Sequence, residues 1–380
     1  MPGKTKRKYV GELMHFAKNI KRPLNLILET LAPDYTGKDI LAAFQKYYPY
    51  EWKEICERYE QYKDKDEFLQ SCHKKKRYHP LPPEQYFFSL EKVKHILSAG
   101  YRKKHSLEYD SSKASLTEEK LKSKRDESIR KRTQKIEEVL QNTQNIEPAF
   151  VDALIAAYHR KGNTIDDKME IFKEVTKYTC EKSLKFIYKL NDSERNEQIR
   201  RSAFEYLQKT GHYAKLRGKF SGKRKEYMTE TTEFYKTPQD LAEELENDKS
   251  IQNRKQYDVF VSHSSKDAEI VRDVIKVLNK MKRVCYCDWV SDDDFLKRSM
   301  VSDYTREVLK KRMHQSKCIV YVSTPNSRES EWVKWELGYY ETCVKREIYV
   351  IQADQYDEGK YVPLVYNEKT ERYMESGRKG

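Results

Sequence analysis

Residues 318–340 read CIVYVSTPNSRESEWVKWELGYY, and the fold is decided there. CIVYVS is a short apolar run suited to a strand buried on both faces, TPNSRES is a polar loop, and EWVKWELGYY repeats its apolar residues at helical spacing. Wound at about 100° per residue, residues 329–344 gather Trp332, Val333, Trp335, Leu337, Tyr339, Tyr340, Cys343 and Val344 into one apolar arc, with Glu331, Lys334 and Glu341 opposite. Glu336 falls near the middle of that arc. A carboxylate facing inward between two tryptophans is costly to keep ionised without a partner, so Glu336 is either a buried structural acid or a tuned functional one.

The same pattern extends on both sides. Tyr257 to Ser262, Val284 to Trp289 and Ile348 to Ala353 are further short apolar runs, separated by helical patterns at Asp267 to Met281, Val301 to Met313 and Ser330 to Val344. Such βα alternation implies a parallel sheet with helices on both faces, and ligands of such sheets sit beyond the carboxyl ends of the strands. A last run, Tyr361 to Tyr366, contains Pro363 and is expected as an edge strand or a loop.

Strand ends are therefore where chemistry is sought. After the first strand comes Ser262-His263-Ser264-Ser265-Lys266-Asp267. Ser264 with Asp267 resembles a capping box that starts the next helix, and the same amides and hydroxyls could meet an anionic or ribose-bearing ligand. After the second strand comes Asp288-Trp289 and the acidic run Asp292-Asp293-Asp294, which repels free phosphate, so the distal part of this loop reads as exposed, metal-attracting or partner-contacting. Trp289, at a strand end, is the better base-stacking candidate; Trp332 and Trp335 read first as core, with Trp332 kept among the ligand candidates.

Ahead of the sheet the pattern is helical. Phe16, Ile20, Leu24, Ile27, Leu28 and Leu31 recur at helical spacing, with Pro23 marking a break or a fresh start. Glu84 to Ala99 reads as one helix closed by Gly100, Asp110 to Ser115 as an exposed connection, Thr117 to Asn142 as a long charged helix, Pro148 to Tyr158 as another, and residues 165–210 as two more. Residues 1–250 are thus expected as a helical region for sensing or assembly, in one piece or with a break near 110–117. The polar stretch 247–256 is the expected boundary to a second domain, 256–380.

Composition sets the outer limits. With 37% hydrophobic and 36% charged residues, but 29 tyrosines and four tryptophans, the chain has core material for packed domains and a polar surface. No apolar run approaches the roughly 20 residues of a membrane helix and the N-terminus lacks an apolar signal core, so no membrane partner and a cytoplasmic location are expected. Seven scattered cysteines suggest reduced thiols, and Cys285 and Cys287 lack a second ligand pair, so no metal is expected. The net charge of +14 lies mostly, about +11, before residue 251. It fits solvated helix faces or a surface for nucleic acid; the run Tyr213 to Tyr227 is either a surface loop or a phosphate-contacting one.

YDVFVSHSSKD at 257–267 resembles the opening strand and first loop of a Toll/interleukin-1 receptor (TIR) domain, and SRESEWVKWELGYY at 327–340 resembles its serine, tryptophan and glutamate helix. The resemblance covers about residues 256–354 and is nearest to bacterial members that join a helical region to a TIR domain. It implies a flavodoxin-like α/β domain and two possible roles, an assembly scaffold or an enzyme that cleaves NAD+ at the nicotinamide bond. The enzymes carry a glutamate four residues after the tryptophan, as Trp332 and Glu336 do here. The resemblance therefore implies Glu336 as the catalytic carboxylate. Ser262, His263, Ser264, Trp289 and Trp332 remain ligand-contact candidates. NAD+ would be the substrate with no further cofactor, the product ADP-ribose or a cyclic isomer. The setting it implies is antiviral defence, with homo-oligomers forming through TIR and helical parts; the basic front half leaves a nucleic acid or a protein as the expected trigger.

Overall fold

The computed structural model describes residues 4–216, 238–246, 250–292, 303–356 and 359–376. Its contacts group into two compact units, Met1–Glu137 with Leu207–Ala214, and Glu138–Tyr206 with Lys215–Gly380. The sheet begins at Tyr257, and the contact division groups the helices of 138–206 with it.

The first unit is helical. Phe16, Ile20, Leu24 and Ile27 pack with Phe44, Phe87, Val93 and Ile96 as its core. Pro23 sits in the first turn of Lys21–Leu28, where no intrahelical donor is lost, so it marks a fresh start. The single helix expected over 84–99 is instead three, Pro83–Ser89, Glu91–Leu97 and Ala99–Glu108. Leu90 and Ser98 adopt extended backbone between them, and the Ser98 hydroxyl accepts from the Tyr101 N–H and restarts the helix, leaving Gly100 inside it. The connection expected at 110–115 is also helix: Asp110 accepts the N–H groups of Ser112 and Lys113 and caps Ser111–Leu140.

Residues 165–210 form three helices rather than two, Ile165–Thr176, Glu181–Ser193 and Glu197–Lys209. The extra break spans 177–180, where Tyr178 bridges in parallel to Gln144: the Gln144 N–H donates to the Lys177 carbonyl at 2.8 Å and the Thr179 N–H to the Gln144 carbonyl at 3.0 Å.

Among the described residues six strands make the sheet: β1 Tyr257–Ser262, β2 Cys285–Tyr286, β3 Ser316–Ser323, β4 Ile348–Gln352, β5 Val362–Asn367 and β6 Arg372–Glu375. Their order is β2-β1-β3-β4-β5-β6, all neighbours parallel except β5 with β6. The chain thus starts in the middle and winds both ways, which opens a crevice between the carboxyl ends of β1 and β3. Val271, Val274, Ile275 and Leu278 of the helix Ala268–Lys280 cover one face against Val259, Val261, Val320 and Val322.

Two strand expectations are corrected. Of 284–289 only Cys285–Tyr286 is strand, because the Val290 and Ser291 N–H groups turn back onto the Cys287 carbonyl and wind Asp288–Ser291 into a helical turn. Tyr361 to Tyr366 is neither loop nor edge: β5 lies between β4 and β6. Pro363 falls near the strand's start, where one missing donor is tolerated, and its carbonyl accepts the Ser376 N–H at 2.9 Å. The basic run beyond Leu216 and the acids Asp293 and Asp294 lie outside the described residues.

Candidate active site

The helix Glu331–Tyr339 starts at Ser330, whose hydroxyl accepts the Val333 N–H, and buries Val333, Glu336 and Leu337. The inward position expected from the apolar arc is therefore real. Glu336 is 9% exposed, and its partner is neither an arginine nor a backbone amide but the Ser262 hydroxyl, which donates to Oε2 at 2.6 Å. Ser262 ends β1 and is fully buried. Burial pushes the Glu336 carboxyl up to about 8; the Ser262 hydrogen bond opposes this, and the negative charge of Asp288 adds to it.

Around this pair the other strand ends converge. The His263 Nδ1 lies 3.0 Å from the Val261 carbonyl and its Nε2 lies 2.6 Å from the Trp289 indole nitrogen. A carbonyl only accepts and an indole N–H only donates, so the proton sits on Nδ1 and Nε2 receives the Trp289 donor. The Arg272 guanidinium lies 5.1 Å from the Trp289 ring centroid. Ser264 is buried and caps a short turn by accepting the Lys266 N–H. The capping box expected with Asp267 does not form, because the Asp267 carboxylate turns across the crevice and accepts from the Thr324 hydroxyl and the Asn326 amide, both at 2.6 Å. The stretch expected as a polar loop is instead wound into the short helix Pro325–Glu329, capped by Thr324 and Ser327, and its Arg328 pairs with Asp354 after β4 and donates to the Ser323 hydroxyl.

Glu336, Ser262, His263 and Trp289 are thus linked at the carboxyl end of the sheet, with Ser264 in the same loop. Trp332 has other contacts, Trp335 edge-to-face at 5.9 Å and the Arg306 guanidinium at 5.6 Å. Neither tryptophan is core: both are half-buried, with the Arg306 guanidinium over both rings and Tyr339 stacked on Trp335. Sequence reasoning missed Asp288 as a charge felt by Glu336, and Asp267, Thr324 and Asn326 as a latch. Only their place just past strand ends signalled them.

His263, Cys287 and Asp288 place one nitrogen, one sulfur and one carboxylate oxygen within 4.8 Å of each other, a spacing that a metal could use. The chemistry of the donors argues against it. The His263 Nε2 lone pair is spent on Trp289, and burial pushes the Cys287 thiol well up, away from the thiolate that a soft metal needs.

A doubly wound parallel sheet with an acid buried at its ligand-binding end defines the class, and the comparisons agree. Residues 259–373 match the TIR domain family model. The chain belongs to this family. Over 98% of its length and 97% of the relative's it is 48% identical to a Cytobacillus dafuensis protein designated a cyclic ADP-D-ribose synthase, TIR2. It is also 31% identical, over 30% of the chain and 62% of the relative, to a protein of Bacillus cereus (strain MSX-D12) designated the 3′ cyclic ADP-D-ribose synthase ThsB′. A Methanobrevibacter olleyae protein designated the 2′ cyclic ADP-D-ribose synthase TcpO is 32% identical over 31% of the chain and 30% of its own length. No solved structure matches significantly. Among the described residues no helix is long and apolar enough to cross a membrane.

Proposed function

We propose that this chain cleaves the nicotinamide glycosidic bond of NAD+ and closes the remaining ADP-ribose on itself as a cyclic isomer. The buried Glu336 carboxyl, hydrogen-bonded to Ser262 beyond the strand ends, is the observation that carries it. As the bond from C1′ to the pyridinium nitrogen breaks, its electron pair goes to nicotinamide, which leaves neutral and needs no general acid. The ribose takes up positive oxocarbenium character, and an ionised Glu336 in a desolvated site stabilises that charge. Capture of C1′ by the adenine or by a ribose hydroxyl of the same molecule, with loss of the hydroxyl proton in the latter case, gives the cyclic product. Capture by water gives ADP-ribose.

The relatives' designations favour ring closure over hydrolysis. NAD+ enters here as substrate, and no further cofactor is required by this chemistry. Trp289 and the His263 loop supply the stacking and polar contacts. The proposal includes assembly of copies, a nucleic acid or protein trigger acting on the basic front half, and a role in antiviral defence. Purified protein incubated with NAD+ should release nicotinamide and a product one water lighter than ADP-ribose, and Glu336→Ala should abolish both while the fold persists. Unchanged turnover in that variant refutes the assignment.

A further inference from the structure

The segment that carries Trp289 and Asp288 is held from outside the TIR domain. β2 is an edge strand, and the backbone groups of Cys285 that point away from β1 meet the Gln144 side chain instead of water. Gln144 Nε2 donates to the Cys285 carbonyl at 2.7 Å and its Oε1 accepts the Cys285 N–H at 3.1 Å. The carboxamide does what a neighbouring strand would do. Gln144 is itself 1% exposed, and its backbone is pinned to Lys177 and Thr179.

Six residues downstream of Cys285 a second tie is made. The Lys177 ammonium donates to the Ser291 carbonyl at 2.6 Å, capping the helical turn Asp288–Ser291 at its negative end, and to Glu174 at 2.9 Å. Glu174 also receives Lys255 at 2.5 Å. Burial alone would raise the Glu174 carboxyl, but the two ammonium groups outweigh it and hold it well below the carboxylate range. Next in the chain, Asp292 forms a two-pronged pair with Arg312, both oxygens at 2.9 Å and both side chains fully buried. The span 285–292 is therefore fastened at both ends, and Trp289 and Asp288 lie between the fastenings.

We infer that Gln144 and Lys177 are positioning residues of the active site: from the helical segment 138–206 they set where Trp289 meets His263 and where Asp288 stands relative to Glu336. The inference rests on the NAD+-cleaving function proposed above. It gives that segment a direct part in the reaction, since any movement of residues 144 or 177 is passed to Trp289 and Asp288 through bonds of 2.6–3.1 Å. A loosened span draws Asp288 away from Glu336 and lets the acid ionise at lower pH, whereas a general loss of folded protein lowers activity equally at every pH.

The test compares full-length wild type, Gln144→Met, Lys177→Met and Lys177→Arg, with Lys182→Met, which breaks a surface pair to Asp152 and Glu147, as control. NAD+ turnover is measured from about pH 5.5 to 9.5 and folding by circular dichroism and melting. Both methionine variants should lose about tenfold in kcat/KM, with the midpoint of the pH profile moved toward acid by about half a unit or more. Lys177→Arg, which keeps a donor for the Ser291 carbonyl, should recover most of the loss, and the control should match wild type. If the methionine variants do not fold, Gln144→Asn, which withdraws the amide by one methylene, should show the same acid shift in smaller measure. Folded variants with the wild-type profile, or Lys177→Arg no better than Lys177→Met, overturn the inference. A wild type that leaves NAD+ intact overturns the proposed activity instead.

Discussion

Replacing Glu336 by glutamine should make the protein more stable at alkaline pH, by an amount that the site itself dictates. Burial lifts the acid from 4.5 to about 8. In the unfolded chain it titrates near its ordinary value, so between those limits the folded state holds a proton that the unfolded state has lost. Stability conferred by the neutral acid is complete below about pH 4.5, falls as pH rises and levels off above about 8. At about 1.4 kcal/mol per pH unit the fall totals about 5 kcal/mol. Glutamine keeps an oxygen to accept from Ser262, fills the same space and does not ionise. The two proteins should therefore melt alike near pH 5, with the variant gaining progressively through pH 7 and holding a constant lead of several degrees above pH 8.5 or so. Calorimetric scans of both proteins across that range test it. Parallel curves, or a lead that is already complete at pH 5, would mean that Glu336 is ionised throughout and that its burial is compensated by a partner other than Ser262.

Turnover should follow the same group in the opposite sense: kcat/KM for NAD+ should rise with pH toward a midpoint near 8 in the free enzyme. The profile of kcat should rise earlier, because a bound pyridinium favours the ionised acid; a flat profile excludes Glu336 as the ionised stabiliser. Ser262→Ala removes the hydrogen bond that opposes the upward shift, so its midpoint should move further alkaline and activity near pH 7 should fall at least severalfold, read from nicotinamide release. Asp292→Asn leaves a buried guanidinium short of its counter-charge and should cost about 3–5 kcal/mol, measured as a lowered melting temperature. Gly211→Ala should also destabilise, by about 1–3 kcal/mol: the residue has φ +78°, and a Cβ there would meet Ile136 Cδ1 at 2.5 Å.

What was legible in the sequence follows from local pattern. Strands buried on both faces must be apolar throughout, so β1, β3 and β4 stood out as runs. The helix carrying Glu336 declared its inward face through the spacing of its aromatics. β2 is shorter than its apolar run because Trp289 and Val290 extend the strand-like pattern past Asp288 while two hydrogen bonds onto the Cys287 carbonyl wind the chain there. The pairing of β5 with β6 depends on a partner that follows it, which Pro363 alone disguised. The buried charges were invisible for a different reason. Glu174 and Lys177 alternate with other charges as on any solvated helix, and only contacts with residues 81 and 114 positions away show that they are interior. Periodicity reports which face is apolar; it cannot report that a polar face has found a polar partner.

Gln144 also bears on how copies of this chain can meet. A sheet with a free margin offers a row of donors and acceptors on which another strand can crystallise, and the two margins of an open sheet are ordinarily equivalent invitations. Here one margin is sealed, since the outward N–H and carbonyl of Cys285 are both consumed by a side chain of the same molecule. At the other margin, among the described residues, the Tyr373 N–H of β6 donates to the Met281 sulfur at 3.4 Å, so neither edge strand offers an unbroken row of free donors to a strand of another copy.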